Sequence, residues 1–296
     1  MEARRVTVIG GANTDICGMP EQHLLRHDSN PGRVSLRHGG VGRNIACNLC
    51  RLGLSVQLLT AVGDDLLGGM LLESCRAEGL DMSLSRVVPG MRSSVYLYLT
   101  DERGEMDAAV ADMEVTAQLT PDYLAARLPE INTSDAVVLD ANLSAETIAF
   151  LAEEIRVPLY ADAVSTAKAP RLRAALGRMA ALKPNLLEAR TLTGCDSAED
   201  CAAALLGTGL GRVYLSLGAG GILAAAGKER VHLPCRETAV VNTTGAGDAA
   251  TAAIVWAELN GLGLAEAAMA ANLAAGLTVA CDETISPQLS PQLLLE

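Results

Sequence analysis

The chain has 296 residues, with 35 acidic side chains against 23 Lys and Arg, a formal net charge of −12. That balance is a poor match for a phosphate backbone, and aromatic residues at 2% leave too few rings for a base-stacking platform, so no nucleic-acid partner is expected. A 50% hydrophobic share with dispersed charge excludes wholesale disorder, and no apolar run reaches the roughly 18 residues of a membrane span.

Residues 4–9 alternate and are β-branched, then meet Gly10-Gly11, which predicts a first strand ending in a tight turn. Residues 14–38 are punctuated by Pro and Gly, with short extended pieces. Helical periodicity runs over 41–52 and closes at Gly53, a strand is predicted over 56–62, and a helix over 66–77 precedes Gly79. Strands over 94–100 and 105–111 flank a hairpin loop at 101–104. From Pro121 onward short apolar strands (136–139, 158–161, 180–183, 212–217) alternate with helices (144–155, 185–193, 198–206), the rhythm of βαβ units around a parallel sheet. Two Ala-rich helices, 246–260 and 264–280, end the pattern. The expected architecture is one domain over 1–296, a three-layer α/β/α sandwich. The stretches near 14–38 and 90–113 fall outside its rhythm and are expected to pair into a small accessory sheet.

Eight cysteines are dispersed through a chain with no secretory pattern at its start, so free thiols and a cytoplasmic protein are expected. Cys47 and Cys50 form a C-x-x-C on a helical stretch without a second ligand pair, which favours helix packing over a zinc site.

The nucleotide signatures of the Walker and Rossmann types both fail on spacing. The strongest local feature is Val240-Val241-Asn242-Thr243-Thr244-Gly245-Ala246-Gly247-Asp248, a β-branched run entering a Gly-Ala-Gly turn that opens a helix. Unpaired first-turn N–H groups and the helix dipole make an anion site there. Asp248 is either a helix-stabilising carboxylate or a base facing that anion, the pairing phosphoryl transfer needs. A second cluster, Gly39-Gly40-Val41-Gly42-Arg43-Asn44, reads as bare backbone open to a ligand, with the Asn44 amide aimed at it. Asn13 and Asp15 lie just past the first strand, where open α/β sheets bind ligands, and suit vicinal hydroxyls. Asn185 and Glu188 lie three apart at a helix start, a spacing that fits either a capping box or contacts to phosphate and Mg²⁺-bound water. Ser216-Leu217-Gly218-Ala219-Gly220-Gly221 follows a strand and could admit a nucleotide or simply turn a hairpin.

In this order, Gly-Gly-x-Gly-x-Asn at 39–44 and Thr-Gly-Ala-Gly-Asp at 244–248 resemble the two signature regions of the ribokinase-like (phosphofructokinase B-type) sugar and nucleoside kinases, over essentially the whole chain. The resemblance implies an α/β/α core with a β-sheet lid used for homodimerisation. It implies Asp248 as catalytic base with Gly245, Ala246 and Gly247 as anion hole. Asn13, Asp15, Gly40, Gly42, Arg43 and Asn44 would hold the acceptor. Asn185, Ser216, Gly218, Gly220, Gly221, Asn272 and Lys168 would line the ATP site, with Glu188 near the Mg²⁺ shell through water. A K⁺ site at Asn242 and Thr244 is weakened, because many relatives carry a charged Asp where this chain has Asn242. The motifs at 30–35, 39–44, 162–168 and 241–248 imply pseudouridine as acceptor, phosphorylated on its 5′-hydroxyl. The alternatives are another sugar or nucleoside, or a catalytically silent ligand-binding protein. With so few rings, only Tyr96, Tyr98, Phe150 or Tyr160 could touch a base, so recognition should rest on hydrogen bonds.

Overall fold

The structure is a computed structural model describing residues 4–235 and 238–295. In chain order it runs β1 (Arg5–Ile9), β2 (Asn13–Pro20), β3 (Gly32–Gly39), α1 (Val41–Arg51), β4 (Ser55–Leu59), β5 (Ala61–Gly63), α2 (Leu66–Ala77), β6 (Arg86–Val88), β7 (Val95–Thr100) and β8 (Met106–Asp112). There follow α3 (Pro121–Ala125), α4 (Leu128–Ile131), β9 (Ala136–Asp140), α5 (Ala145–Glu154), β10 (Leu159–Asp162), a 3₁₀ stretch (Ala169–Arg178), β11 (Ala181–Lys183), α6 (Leu186–Thr193) and α7 (Ala198–Gly207). The chain ends with β12 (Arg212–Ser216), β13 (Ile222–Ala226), β14 (Glu229–Leu233), α8 (Ala246–Leu259), α9 (Leu264–Val279) and α10 (Pro291–Leu294).

Eight strands form the central sheet in the order β14-β13-β12-β11-β10-β9-β1-β4. From β12 to β4 every neighbour is parallel, and β12, β13 and β14 are antiparallel. Parallel strands covered on both faces must be apolar throughout, and β9 (Ala-Val-Val-Leu-Asp) is buried at every position. One core cluster joins the sheet to α1, α2, α8 and α9, and the other joins it to α5, the 3₁₀ stretch, α6 and α7, giving the three layers. Alanine is what lets α8 and α9 lie so close to the sheet and to each other; 11 residues of α8 are buried.

The strand expected over 56–62 is broken. Thr60 leaves the central sheet, its N–H donating to Ser85 Oγ at 3.1 Å, and β5 instead pairs with β6. The strand expected over 212–217 stops at Ser216, because Leu217 begins the tight turn into β13.

A separate four-stranded sheet has the order β3-β2-β7-β8. Its register puts Leu36, Ile16, Leu97 and Val110 in one row and Val34, Gly18, Leu99 and Ala108 in another row of the same face. Val34 is 78% exposed and Val110 66%. Asp15, Cys17, Tyr96 and Tyr98 share the opposite face. The eight cysteines are free thiols, and among the described residues no helix is long and apolar enough to cross a membrane.

Candidate active site

The site is assembled at the carboxyl ends of the parallel strands, where β1, β9, β10 and β11 stop side by side. β1 hands over to Gly10-Gly11, and the buried Asp140 at the end of β9 accepts from Gly11 N at 2.9 Å. A Cβ on Gly10 would stand 2.5 Å from Asp140 Oδ2, so glycine is required for this clamp. Just beyond, Asn13 Nδ2 donates to Asp15 Oδ1 at 2.6 Å. Burial raises the Asp15 carboxyl, against the Asn13 hydrogen bond and the Arg43 charge.

The glycines that open α1 have a different reason from the one expected. A Cβ on Gly40 would meet Ala12 Cα at 2.6 Å, and one on Gly42 the Gly10 carbonyl carbon at 2.9 Å. Backbone of the β1 turn, not a ligand, occupies that space. The close seating carries Asn44 into the site, where its Nδ2 donates to Asp248 Oδ2 at 2.8 Å. Asn44 Oδ1 is buried and has no hydrogen-bond partner among the described residues. Arg43 is not brought to Asp248. Its guanidinium donates to His38 O at 3.0 Å and to Ser74 Oγ at 3.4 Å, on the α2 side of the helix.

α8 begins at Gly245 (φ 87°) with no side-chain cap, whereas Asp65, Ser144, Asn185 and Ser197 cap α2, α5, α6 and α7. Its first amides are therefore left for another acceptor. A Cβ on Gly245 would stand 2.1 Å from Thr284 O, so this turn tolerates only glycine. Asp248 is 8% exposed. Burial, then the Asp162 charge, push its carboxyl well above the usual range; the Asn44 hydrogen bond and the Lys183 charge oppose them, and Asp140 adds to the rise. Beneath the turn, Thr251 Oγ1 donates to Asp162 Oδ2 at 2.7 Å, and Lys183 Nζ stands 3.3 Å from the same oxygen.

On the other side, Asn185 and Glu188 make both bonds of a capping box: Glu188 N donates to Asn185 Oδ1 at 2.9 Å and Asn185 N to Glu188 Oε2 at 2.8 Å. Glu188 is 4% exposed, and burial raises its carboxyl. Ser216 hangs on Pro184, its N–H donating to the Pro184 carbonyl at 2.9 Å. At Gly218 (φ 60°) a Cβ would meet nothing within 4 Å among the described residues. Gly221 differs: a Cβ there would stand 1.9 Å from Leu233 O, so the β12–β14 hairpin itself demands that glycine. A Cβ on Gly220 would meet only its neighbour Leu217, at 3.2 Å. Asn272 is turned to protein backbone, its Nδ2 donating to Leu233 O at 3.0 Å and Pro234 O at 3.3 Å. Lys168 Nζ donates to Asn142 Oδ1 at 2.6 Å beside Asp140.

Asn242 is engaged at both ends, its Oδ1 accepting from Thr244 N at 3.0 Å and its Nδ2 donating to Asp282 O at 3.3 Å. Two of the four candidate base contacts fall away. Tyr160 donates to Glu258 Oε2 at 3.0 Å inside the molecule, and Phe150 packs into the α5 core. Tyr96 and Tyr98 remain, with ring centroids 5.6 Å apart.

Sequence reasoning missed Asp140, Asn142, Asp162 and Lys183 as site residues. The signal was present: each of β9, β10 and β11 is an apolar run ending in one charged residue, and a charge that ends a buried parallel strand lies at the ligand-binding edge.

With that geometry in hand, the sequence profile of the pfkB family carbohydrate kinases matches residues 3–291. The chain is 37% identical over 293 residues to the pseudouridine kinase of Escherichia coli (strain K12), covering 96% of this chain and 93% of that protein. A carbohydrate kinase structure from Agrobacterium tumefaciens superimposes with a TM-score of 0.88 at 33% identity, covering 99% of this chain and 96% of that one. The structure of Arabidopsis thaliana ribokinase complexed with ribose and ATP has a TM-score of 0.86 at 21% identity, covering 99% and 98%, and shares the fold.

Proposed function

The chain belongs to the pfkB family of carbohydrate kinases and is an ATP-dependent sugar or nucleoside kinase, and from that premise we propose that it phosphorylates the 5′-hydroxyl of a ribosyl compound, pseudouridine first among them. The observation that carries the reading is the Asn44–Asp248 hydrogen bond, which joins the two glycine-rich motifs at an uncapped helix start. Asn13, Asp15 and Asn44 offer the acceptors and donors a polyol needs. The orphaned Asn44 Oδ1 is an acceptor waiting for a hydroxyl proton.

Asp248 takes the proton of the acceptor hydroxyl as its oxygen bonds to the γ-phosphorus. The bond from that phosphorus to the β,γ-bridging oxygen breaks, and its electron pair leaves with ADP. The amides of Gly245, Ala246 and Gly247 hold the charge of the transferring group. ATP fits the side where α8 is uncapped and where, among the described residues, nothing crowds Gly218. Mg²⁺ fits only as an ion carried by phosphates and water. No cluster of three His, Cys, Asp or Glu that could hold a metal exists among the described residues, and Glu188 would act through water. Bound there, the ion neutralises phosphate charge. K⁺ does not fit well, because the Asn242 oxygen is uncharged and already accepts from Thr244.

The outward row of Leu36, Leu97 and Val110 supports a homodimer through the small sheet, which would then serve as lid. The free thiols suit a reducing cytoplasm. A panel of pseudouridine, uridine, adenosine, guanosine, ribose and fructose, assayed for ADP and with products weighed by mass spectrometry, tests the acceptor. A pseudouridine mass gain of one phosphate is expected. Turnover of ribose but not pseudouridine would overturn the acceptor, and binding without turnover would favour a silent binder.

A further inference from the structure

Lys183 ends the three-residue strand β11, in register with Asp162 on β10. It is 6% exposed, and among the described residues Asp162 is the one ion-pair partner of its ammonium. That partner has its own bonds. Asp162 Oδ1 accepts from Val164 N at 2.9 Å, and Oδ2 accepts from Thr251 Oγ1. An ammonium carries three donors, and among the described residues the one carboxylate paired with it stands 3.3 Å away, which leaves donors for a further acceptor. A buried cation with one close acceptor can meet a further anionic one.

The place where that anion would sit is set by Gly247. A Cβ built on Gly247 would stand 3.3 Å from Lys183 Nζ, so the ammonium lies directly against the turn whose amides face the transferring group. Burial would neutralise an isolated lysine here, but Asp162, Glu188 and Asp248 hold its proton on. Thr251 Oγ1, whose one proton goes to Asp162, also lies 3.2 Å from Gly247 O, which seats the turn over the cation.

We propose that Lys183 is a catalytic residue, its ammonium donating to the phosphoryl group in flight from beneath the Gly245–Gly247 turn. This rests on the phosphoryl-transfer reading above. No proton leaves the lysine: the acceptor proton goes to Asp248, ADP departs with its electron pair, and Lys183 follows the charge with hydrogen bonds. Its part differs from that of the backbone amides, because it carries a full charge and approaches from the sheet side.

The test is Lys183→Met, assayed on the best acceptor of the panel. The expected result is a fall in kcat of about 100-fold or more, as for loss of one transition-state donor, with the acceptor KM within about threefold. Because removing one member of a buried pair strands the other, Asp162→Asn combined with Lys183→Met is measured as well. If Lys183 merely neutralises Asp162, the folded double variant recovers kcat, and the proposal is overturned. If it acts on the phosphoryl group, the double variant regains thermal stability but stays slow. Wild-type kcat in Lys183→Met overturns it equally. Should the wild-type protein release no ADP with any acceptor, it is the kinase reading that has failed.

Discussion

Asp248→Asn should separate catalysis from stability. The wild-type carboxyl is buried, faces the charges of Asp162 and Asp140, and is raised well above its ordinary range. Each pKa unit of such a rise represents about 1.4 kcal/mol of differential interaction. The amide removes the charge and keeps the geometry, because its oxygen still accepts from Asn44 Nδ2. A stabilisation of about 1–2 kcal/mol is expected, or about 2–6 °C in Tm for a chain of this size. The sign with pH follows from linkage. A carboxyl raised on folding weakens the native state as pH climbs from its unfolded value through the raised one. The Tm advantage of Asp248→Asn should vanish below about pH 4 and widen as pH rises. Turnover should fall by about 10²–10⁴, the usual contribution of a general base, with the acceptor KM little changed. Paired Tm scans from pH 4 to 9 and a coupled ADP assay measure both. An equal or lower Tm at pH 8, or a kcat within tenfold of wild type, would refute the reasoning.

Three further outcomes are expected. Glu258→Ala leaves the buried Tyr160 and Tyr214 hydroxyls, which stand 3.0 and 2.7 Å from its carboxylate, without their acceptor and should lose about 2–4 kcal/mol in urea unfolding. Gly42→Ala drives a methyl into the Gly10 carbonyl carbon. It should lose about 1–3 kcal/mol by overpacking and raise the acceptor KM, because Asn44 rides on the displaced helix. Val110→Glu, combined with Leu97→Asp on the exposed face of the small sheet, should shift the proposed dimer to monomer in sedimentation without lowering the Tm of the monomer. An unchanged mass would remove the lid interface.

The layers of the fold were readable because buried parallel strands and Ala-rich helices announce themselves in composition. That the stretches near 14–38 and 90–113 pair was readable from their break with the βαβ rhythm, but the register of β2 on β7 was not, because 74 residues of other structure lie between Pro20 and Val95 and no local pattern sets it. In the site, the two signature turns stood out as glycines before a helix. What those glycines make room for did not, because a glycine says only that something approaches. At Gly42 and Gly221 that something is the protein's own backbone. Asp162 and Lys183 escaped notice for the opposite reason. A single charge closing an apolar strand looks like a strand boundary until the neighbouring strands are aligned.

Helix α8 is tied to β10 twice, by Thr251 to Asp162 near its start and by Glu258 to Tyr160 near its end. Two ties to one strand fix the helix against sliding along the sheet. The height of Asp248 above the strand ends is thereby set by the central sheet and not by the ligand. On the proposed reading, Asn13 and Asp15, on β2, would hold the acceptor from the other side. The two sides would then act as a gauge of reach. If that reading holds, the regiochemistry of phosphorylation is a length set by the scaffold.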